Sequence, residues 1–317
     1  EGSSGFLCSC SLHTSIVEHH ENLYGPMYLP RISSFPSLNA KEGLGHRRFV
    51  PSSGEGLEGV FTDSGASPVH RLRGVNYLKD GVKEPAHPAV GTLLAVDLFK
   101  VDDQSRADHI AKRGRCRSRL KSLAAGLSPQ FSIFMVNFQM PGAPAIIMVG
   151  YWSIPSSSSS HSIERFAKLY EKFSNLPLTE EKSRENEGGR LPSDDFRNQR
   201  LKLLPIIVEG PTMAKKSIDG AAFLIGQKVT CRYFKGSCLS PAGSISYLEV
   251  DIDIGSSQVA YKSASLVKGL ARALTIDLGV CIQAEEEWEL PELLIGCLCI
   301  NHIDINLAVP LSEGSTV

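Results

Sequence analysis

The chain has 317 residues, with 33 basic and 34 acidic side chains and a formal net charge of −1. A hydrophobic content of 42% fills a sizeable core, which excludes wholesale disorder, and the charge balance excludes a globally basic nucleic-acid wrapper. Length allows one large or two ordinary domains. No apolar run reaches the ~18–20 residues of a membrane-spanning helix; residues 141–152 (PGAPAIIMVGYW) come nearest and carry two prolines. Eight cysteines show no CxxC spacing and no disulfide framework, which favours a reducing, cytoplasmic setting. The chain begins at Glu1, and residues 5–11 lack the basic start of a secretory signal, so no signal peptide is read and any targeting segment stays open.

In chain order, residues 1–64 are rich in Ser, Gly, Pro and His and read as a loosely ordered extension, with short pieces docking on the domain that follows. That domain is placed at 65–310, with a tail at 311–317. Residues 92–99 (TLLAVDLF) and 131–140 (FSIFMVNFQM) read as buried strands. After the turn at Pro141-Gly142, residues 145–152 complete an antiparallel hairpin. Between these strands, 106–121 holds seven Lys and Arg residues. A solvated loop and an anionic-membrane contact are both open for this cluster; aromatic interleaving for nucleic acid is missing. Five serines at 156–160 form a connector, and 162–175 has apolar positions at helical spacing. A charged loop at 178–190 leads to a second helix at 194–202, whose acidic start suits the helix dipole. Residues 227–235 and 247–254 alternate as strands, 258–282 reads as a long helix, and the final strand falls within 290–305. The fold expected is α+β: a mostly antiparallel sheet carrying a long C-terminal helix and two shorter helices.

Glu249, Asp251 and Asp253 recur at every second position, which puts three carboxylates on one strand face about 6.5 Å apart. Lys228, Thr230 and Arg232 on a neighbouring strand would neutralise that row; a ligand, metal or acid/base role is the alternative. On the wheel of 258–282, Asp277 falls in the apolar arc, so it needs an ion-pair partner, with Arg197, Arg200 and Lys202 as candidates, or it faces a ligand. Cys297 and Cys299 share a strand face and read as small hydrophobes rather than metal ligands. No GxSxG elbow, GxGxxG loop or GxxxxGKS loop is present. The expectation is therefore no enzyme, with no catalytic residues, metal or cofactor.

Several stretches carry a resemblance. These are 195–210 (DFRNQRLKLLPIIVEG), 224–236 (LIGQKVTCRYFKG) and 247–260 (YLEVDIDIGSSQVA). Residues 72–80 (LRGVNYLKD), 95–99 (AVDLF), 108–111 (DHIA), 134–142 (FMVNFQMPG) and 289–296 (ELPELLIG) follow the same order. Together, over about 69–304, the chain resembles the C-terminal domain of the ENHANCED DISEASE RESISTANCE 2 family of plants and other eukaryotes. Thr212 stands where that family commonly has tryptophan. In the best-known members this domain follows a pleckstrin-homology domain and a lipid-transfer domain, in peripheral membrane proteins that bind phosphoinositides. The resemblance implies a non-enzymatic lipid- or membrane-binding regulatory domain, with a lipid or anionic membrane surface as partner and no nucleic acid; the alternative is a protein-interaction module. Arg197, Arg200, Lys202, Lys215 and Lys216 flank the most family-like stretch and are the candidate headgroup contacts. Arg197 and Arg200 have a competing reading as buried partners of Asp251, Asp253 or Asp277.

Overall fold

A computed structural model describes residues 48–53, 55–65, 70–102, 107–156, 160–176, 192–218 and 222–311. All of them lie in the unit Asn39–Val317. The extension before residue 48, most of the serine run, the charged loop at 178–190, the tail after Leu311, Arg106 and the Cys8–Cys10 pair fall outside the described residues.

The strands are β1 (Arg48–Phe49), β2 (Phe61–Asp63), β3 (Arg71–Arg73), β4 (Lys83–Pro85), β5 (Thr92–Val101), β6 (Phe131–Met140) and β7 (Ala145–Pro155). Then come β8 (Leu201–Glu209), β9 (Phe223–Leu224), β10 (Thr230–Ser240), β11 (Gly243–Asp253), β12 (Thr275–Ile282), β13 (Leu294–Asn301) and β14 (Val309–Pro310). The helices are α1 (Tyr77–Asp80), α2 (Gly114–Ala125), α3 (His161–Asn175), α4 (Pro192–Arg200), α5 (Thr212–Ile218) and α6 (Gln258–Leu270). The first large sheet runs β1-β2-β13-β12-β8-β9 with antiparallel neighbours throughout. The second runs β10-β11-β6-β7-β5-β14 and is antiparallel except at β11–β6 and β14–β5. The fold class is α+β with mostly antiparallel sheets, and β3–β4 forms a separate small hairpin.

The two sheets meet face to face. Val96, Phe134, Met148 and Val250 of the second sheet share one apolar core with Leu203, Val280, Ile295 and Leu298 of the first. Trp152 fills the space between the sheets because Gly150 and Gly296 leave it: a Cβ built on either glycine would overlap the indole. The amphipathic face of α3 adds Phe166, Leu169, Tyr170 and Phe173 to this core. The described residues of 48–63, placed in the loose extension by sequence, supply β1, β2 and the fully buried Leu57 and Phe61.

The long helix is corrected. Helix α6 ends at Leu270, and after a 3-10 turn at Ala271–Ala273 the chain becomes strand β12. Strand β12 lies between β8 and β13, and seven of its eight residues are buried. A run apolar on both faces has no period to separate strand from helix, and the β-branched Thr275, Ile276, Val280 and Ile282 favour the strand. In the other direction, the basic cluster read as a loop is largely helix α2, which seats Cys116, Leu120, Leu123 and Ala124 on the outer face of the second sheet.

Candidate functional site

The outer face of the second sheet, under α2, is where polar side chains enter the interior. Alternation along β11 turns Leu248, Val250 and Ile252 toward the sandwich core and Glu249 and Asp251 outward, as read from the sequence. Both carboxylates are buried. Their partners are not the cations of β10: Glu249 accepts the Ile110 and Ala111 backbone N–H groups at 2.7 and 3.2 Å, and Asp251 accepts the His109 N–H at 2.8 Å. Three successive amides converge because His109 takes a left-handed conformation (φ 51°, ψ 52°), which folds the segment into an anion-binding nest. The His109 ring stacks on Phe234 at 4.1 Å, and burial, followed by the neighbouring Lys112 and Arg113 charges, pulls its pKa down to about 4.

Asn137 and Gln139 on β6 complete the arrangement. Asn137 donates to Asp251 at 2.9 Å and to the Ala107 carbonyl at 2.8 Å; Gln139 donates to that carbonyl at 2.9 Å and to Asp108 at 3.0 Å. Arg232 lies opposite Asp251 in register, yet its guanidinium binds Asp108 at 2.9 Å. The expected cross-strand charge ladder is therefore replaced by backbone amides. Burial raises Glu249 well above the usual carboxylate range and pushes Asp251 up to about 6, and the two hydrogen-bond each other. Asp253, half-buried at the end of β11, makes no ion pair among the described residues.

A second buried charge lies further along the same face. Asp97 of β5 receives the Arg119 guanidinium through Nε and Nη2 at 3.1–3.3 Å and the Tyr151 hydroxyl at 3.2 Å, and Tyr151 in turn meets the Cys116 thiol at 3.1 Å. Burial works against the Arg119 charge, but Asp97 outweighs it and the guanidinium pKa rises. Burial raises the Cys116 thiol and Tyr151 phenol well above their ordinary values. These contacts pin α2 at one end through its preceding turn and at its middle through Arg119. Arg115, Arg117 and Lys121 of α2 are exposed, as is Lys112 in the turn before it. None of these four forms an ion pair or hydrogen bond to a side chain among the described residues, and α2 contains no acidic residue.

The candidate headgroup cations separate into two groups. Arg197 is fully buried, donating to Phe173 O at 2.9 Å, Leu176 O at 2.5 Å and Asp194 at 3.2 Å, with Tyr233 under its guanidinium. Arg200 binds Glu289 at 2.6 Å and Glu285 at 3.2 Å, and Lys202 binds the buried Glu292 at 2.7 Å. These three are interior ion pairs, and their partners are not Asp251, Asp253 or Asp277. Lys216 is exposed and Lys215 half-buried on α5, next to the exposed Met213. Asp277 is buried in β12, opposite Ile206 and Cys299, and its charge acts on the buried His70 imidazole, whose pKa burial lowers. Cys297 and Cys299 are both buried in β13.

Asp97, Asn137, Gln139 and Tyr151 escaped the sequence reading, and Arg119, counted in the basic cluster, turns inward to Asp97 instead. The one signal available was a polar residue at alternate positions within apolar strands, as in FMVNFQM and TLLAVDLF. Among the described residues no helix is long and apolar enough to cross a membrane.

Comparison with known proteins finds no matching solved structure. A curated relative, "Protein ENHANCED DISEASE RESISTANCE 2-like" of Arabidopsis thaliana, is 31% identical over 241 residues, which cover 75% of this chain and 28% of that protein. The match thus spans just over a quarter of the relative's length. The family model "Protein ENHANCED DISEASE RESISTANCE 2, C-terminal" matches residues 64–304, the whole span from the end of β2 through the nest and α2 to the end of β13, and the chain belongs to that family.

Proposed function

We propose that this domain is a non-enzymatic regulatory module that attaches peripherally to anionic membrane surfaces through the outward face of α2. Family membership supports the regulatory part. The observation that carries the membrane part is the set Lys112, Arg115, Arg117 and Lys121, all exposed on α2 and the turn before it, with no carboxylate on the helix and with the buried contacts of Arg119 and residues 109–111 holding it in place. Each cation near an anionic leaflet contributes about 1 kcal/mol, so four give about 4 kcal/mol, enough for reversible attachment that a second signal must reinforce. Lys215, Lys216 and Met213 on α5 form a smaller patch of the same character. The non-enzymatic reading draws support from the burial of the titrating groups: Glu249, Asp251, Cys116 and Tyr151 are closed off under α2 rather than aimed into a cleft.

Vesicle flotation tests this. Phosphatidylcholine vesicles with and without phosphatidylserine or phosphoinositide are compared at low and high salt. Binding restricted to the anionic vesicles, lost on raising the salt and lost in a Lys112→Glu/Arg115→Glu/Arg117→Glu/Lys121→Glu variant, is expected. No binding at low salt sinks the membrane reading.

A further inference from the structure

The two large sheets end in strands of unequal length. Strands β1, β9 and β14 are two residues each, whereas β10 closes the second sheet with eleven. Its register with β11 runs from Thr230 to Ser240 without a bulge. Apart from that ladder, no backbone group from Phe234 to Leu239 forms a hydrogen bond among the described residues. Every second residue of these six therefore turns its N–H and C=O outward, along an edge of about 20 Å. Folds commonly guard such an edge by shortening it, bulging it or placing proline in it, and β10 has none of the three. The charge of Lys235 is the guard it keeps.

Side chains fix the strand from both faces. On the α2 side, Phe234 stacks on His109, and Cys238 packs against the cluster that seats α2. Burial raises the Cys238 thiol, and the charges of Lys121 and Arg117 oppose that rise. On the other face, Tyr233 enters the sandwich core, Lys235 donates to the Asn175 side chain at 3.0 Å, and Leu239 is 86% exposed. There Lys235 and Leu248 line a groove of about 550 Å³ with Lys168, Glu164 and Glu171 of α3. Residues 228–247 contain Lys228, Arg232 and Lys235 but no Asp or Glu, and α2 contains none either. Arg232 is bound to Asp108, and the α3 side is balanced by its two glutamates, so the excess positive charge lies on the α2 side at Arg117 and Lys121. Pairing β10 with its own copy about a twofold axis would gather Arg117, Lys121 and Lys235 of both chains at one seam, where like charges repel.

We infer that the β10 edge takes an extended segment of a different polypeptide as an added strand, with an Asp or Glu of that segment on the α2 side meeting Arg117 and Lys121. Outward amides and carbonyls at strand spacing are complementary to another strand; a bilayer offers no matching ladder. The edge is already straight and held by eleven ladder positions, so little order is lost when a guest pairs with it. The inference stands whether or not the domain binds membranes.

Hydrogen exchange resolved to single amides reads the edge on the full chain. In the free monomer, alternate amides of residues 234–239 should exchange fast. The chain is then challenged with a phage-displayed library of random short peptides. Synthetic copies of the enriched peptides should carry Asp or Glu and should slow those same amides. Only one of two adjacent N–H groups points outward, so of Ser237→Pro and Cys238→Pro the variant that keeps the wild-type urea midpoint should bind the peptides about tenfold more weakly. Arg117→Glu/Lys121→Glu should weaken them similarly and reduce their salt dependence. Slow exchange across 234–239 in the free monomer overturns the inference by assigning the edge to the chain's own residues. Protection that grows with protein concentration, alongside a dimer in sedimentation, overturns it in favour of a second copy. No enrichment, enriched peptides without acidic residues, or bound peptides that leave these amides fast also overturn it. Should neither proline variant fold, methylating alternate backbone nitrogens of the peptide carries the same decision: binding unchanged by either set of methyl groups refutes strand addition.

Discussion

Asp251 offers the sharpest quantitative test of the buried network. Burial raises its pKa from 3.8 to about 6, even though the His109 amide, Asn137 and Glu249 all hydrogen-bond to it. The folded chain therefore holds this proton more tightly than the unfolded chain does. The associated stability is fully present below about pH 4 and is lost as pH rises through about 6. At 1.36 kcal/mol per pKa unit, the gap of roughly two units is worth about 3 kcal/mol. Urea unfolding followed by tryptophan fluorescence, at steps from about pH 4 to about pH 8, measures it. Asp251→Asn removes the titrating group, so its stability should fall about 3 kcal/mol less than wild type across that range. A variant that keeps the full wild-type slope refutes the claim that burial sets the proton affinity of Asp251.

Arg119→Met leaves Asp97 buried without its guanidinium and should cost about 3–5 kcal/mol in the same urea assay, whereas Asp97→Asn, which leaves no charge unpaired, should cost less. Lys202→Met strands Glu292 in the same way, with a similar loss of stability and no change in vesicle flotation, because Lys202 is an interior residue. Lys215→Glu with Lys216→Glu should do the reverse, shifting stability by no more than about 0.5 kcal/mol while weakening flotation on anionic vesicles. Gly296→Ala drives a methyl into the Trp152 indole and should lower stability by about 1–3 kcal/mol, with a shifted tryptophan emission as the local sign.

What was legible in the sequence follows the reach of each signal. The β6–β7 hairpin, α3, β10 and β11 were visible because period and turn chemistry are local properties. Strand β12 was misread because burial on both faces erases period, and Gly279 suits a buried strand as well as a helix. The carboxylates on β11 were placed on the correct face, but their partners were not, since backbone amides carry no sequence signature: nothing in DHIA shows that His109 will turn left-handed. Three of the five headgroup candidates lie inside for a related reason. Arg197, Arg200 and Lys202 look like a basic patch along the chain, and only the return of residues 283–292 beside β8, for Arg200 and Lys202, and the end of α3, for Arg197, makes them interior.

The near-zero net charge has a structural counterpart that bears on the membrane reading. Among the described residues, burial removes Asp97, Asp194, Glu249, Asp251, Asp277, Glu289 and Glu292 from solvent, but only Arg197, Arg200 and Lys202 among the basic residues. Carboxylates are the cheaper charges to bury in this fold because turns can supply backbone N–H donors, as residues 109–111 do for Glu249 and Asp251. Guanidinium and ammonium groups have no deprotonated escape of comparable ease and need carbonyls or acids at fixed positions. Burial thus takes more acid than base, and the cations without an interior partner are left outside. On α2 and the turn before it they are left exposed without acidic neighbours on the helix itself, so a chain balanced along its sequence presents a locally positive surface. That asymmetry, rather than the total charge, is what an anionic partner would meet.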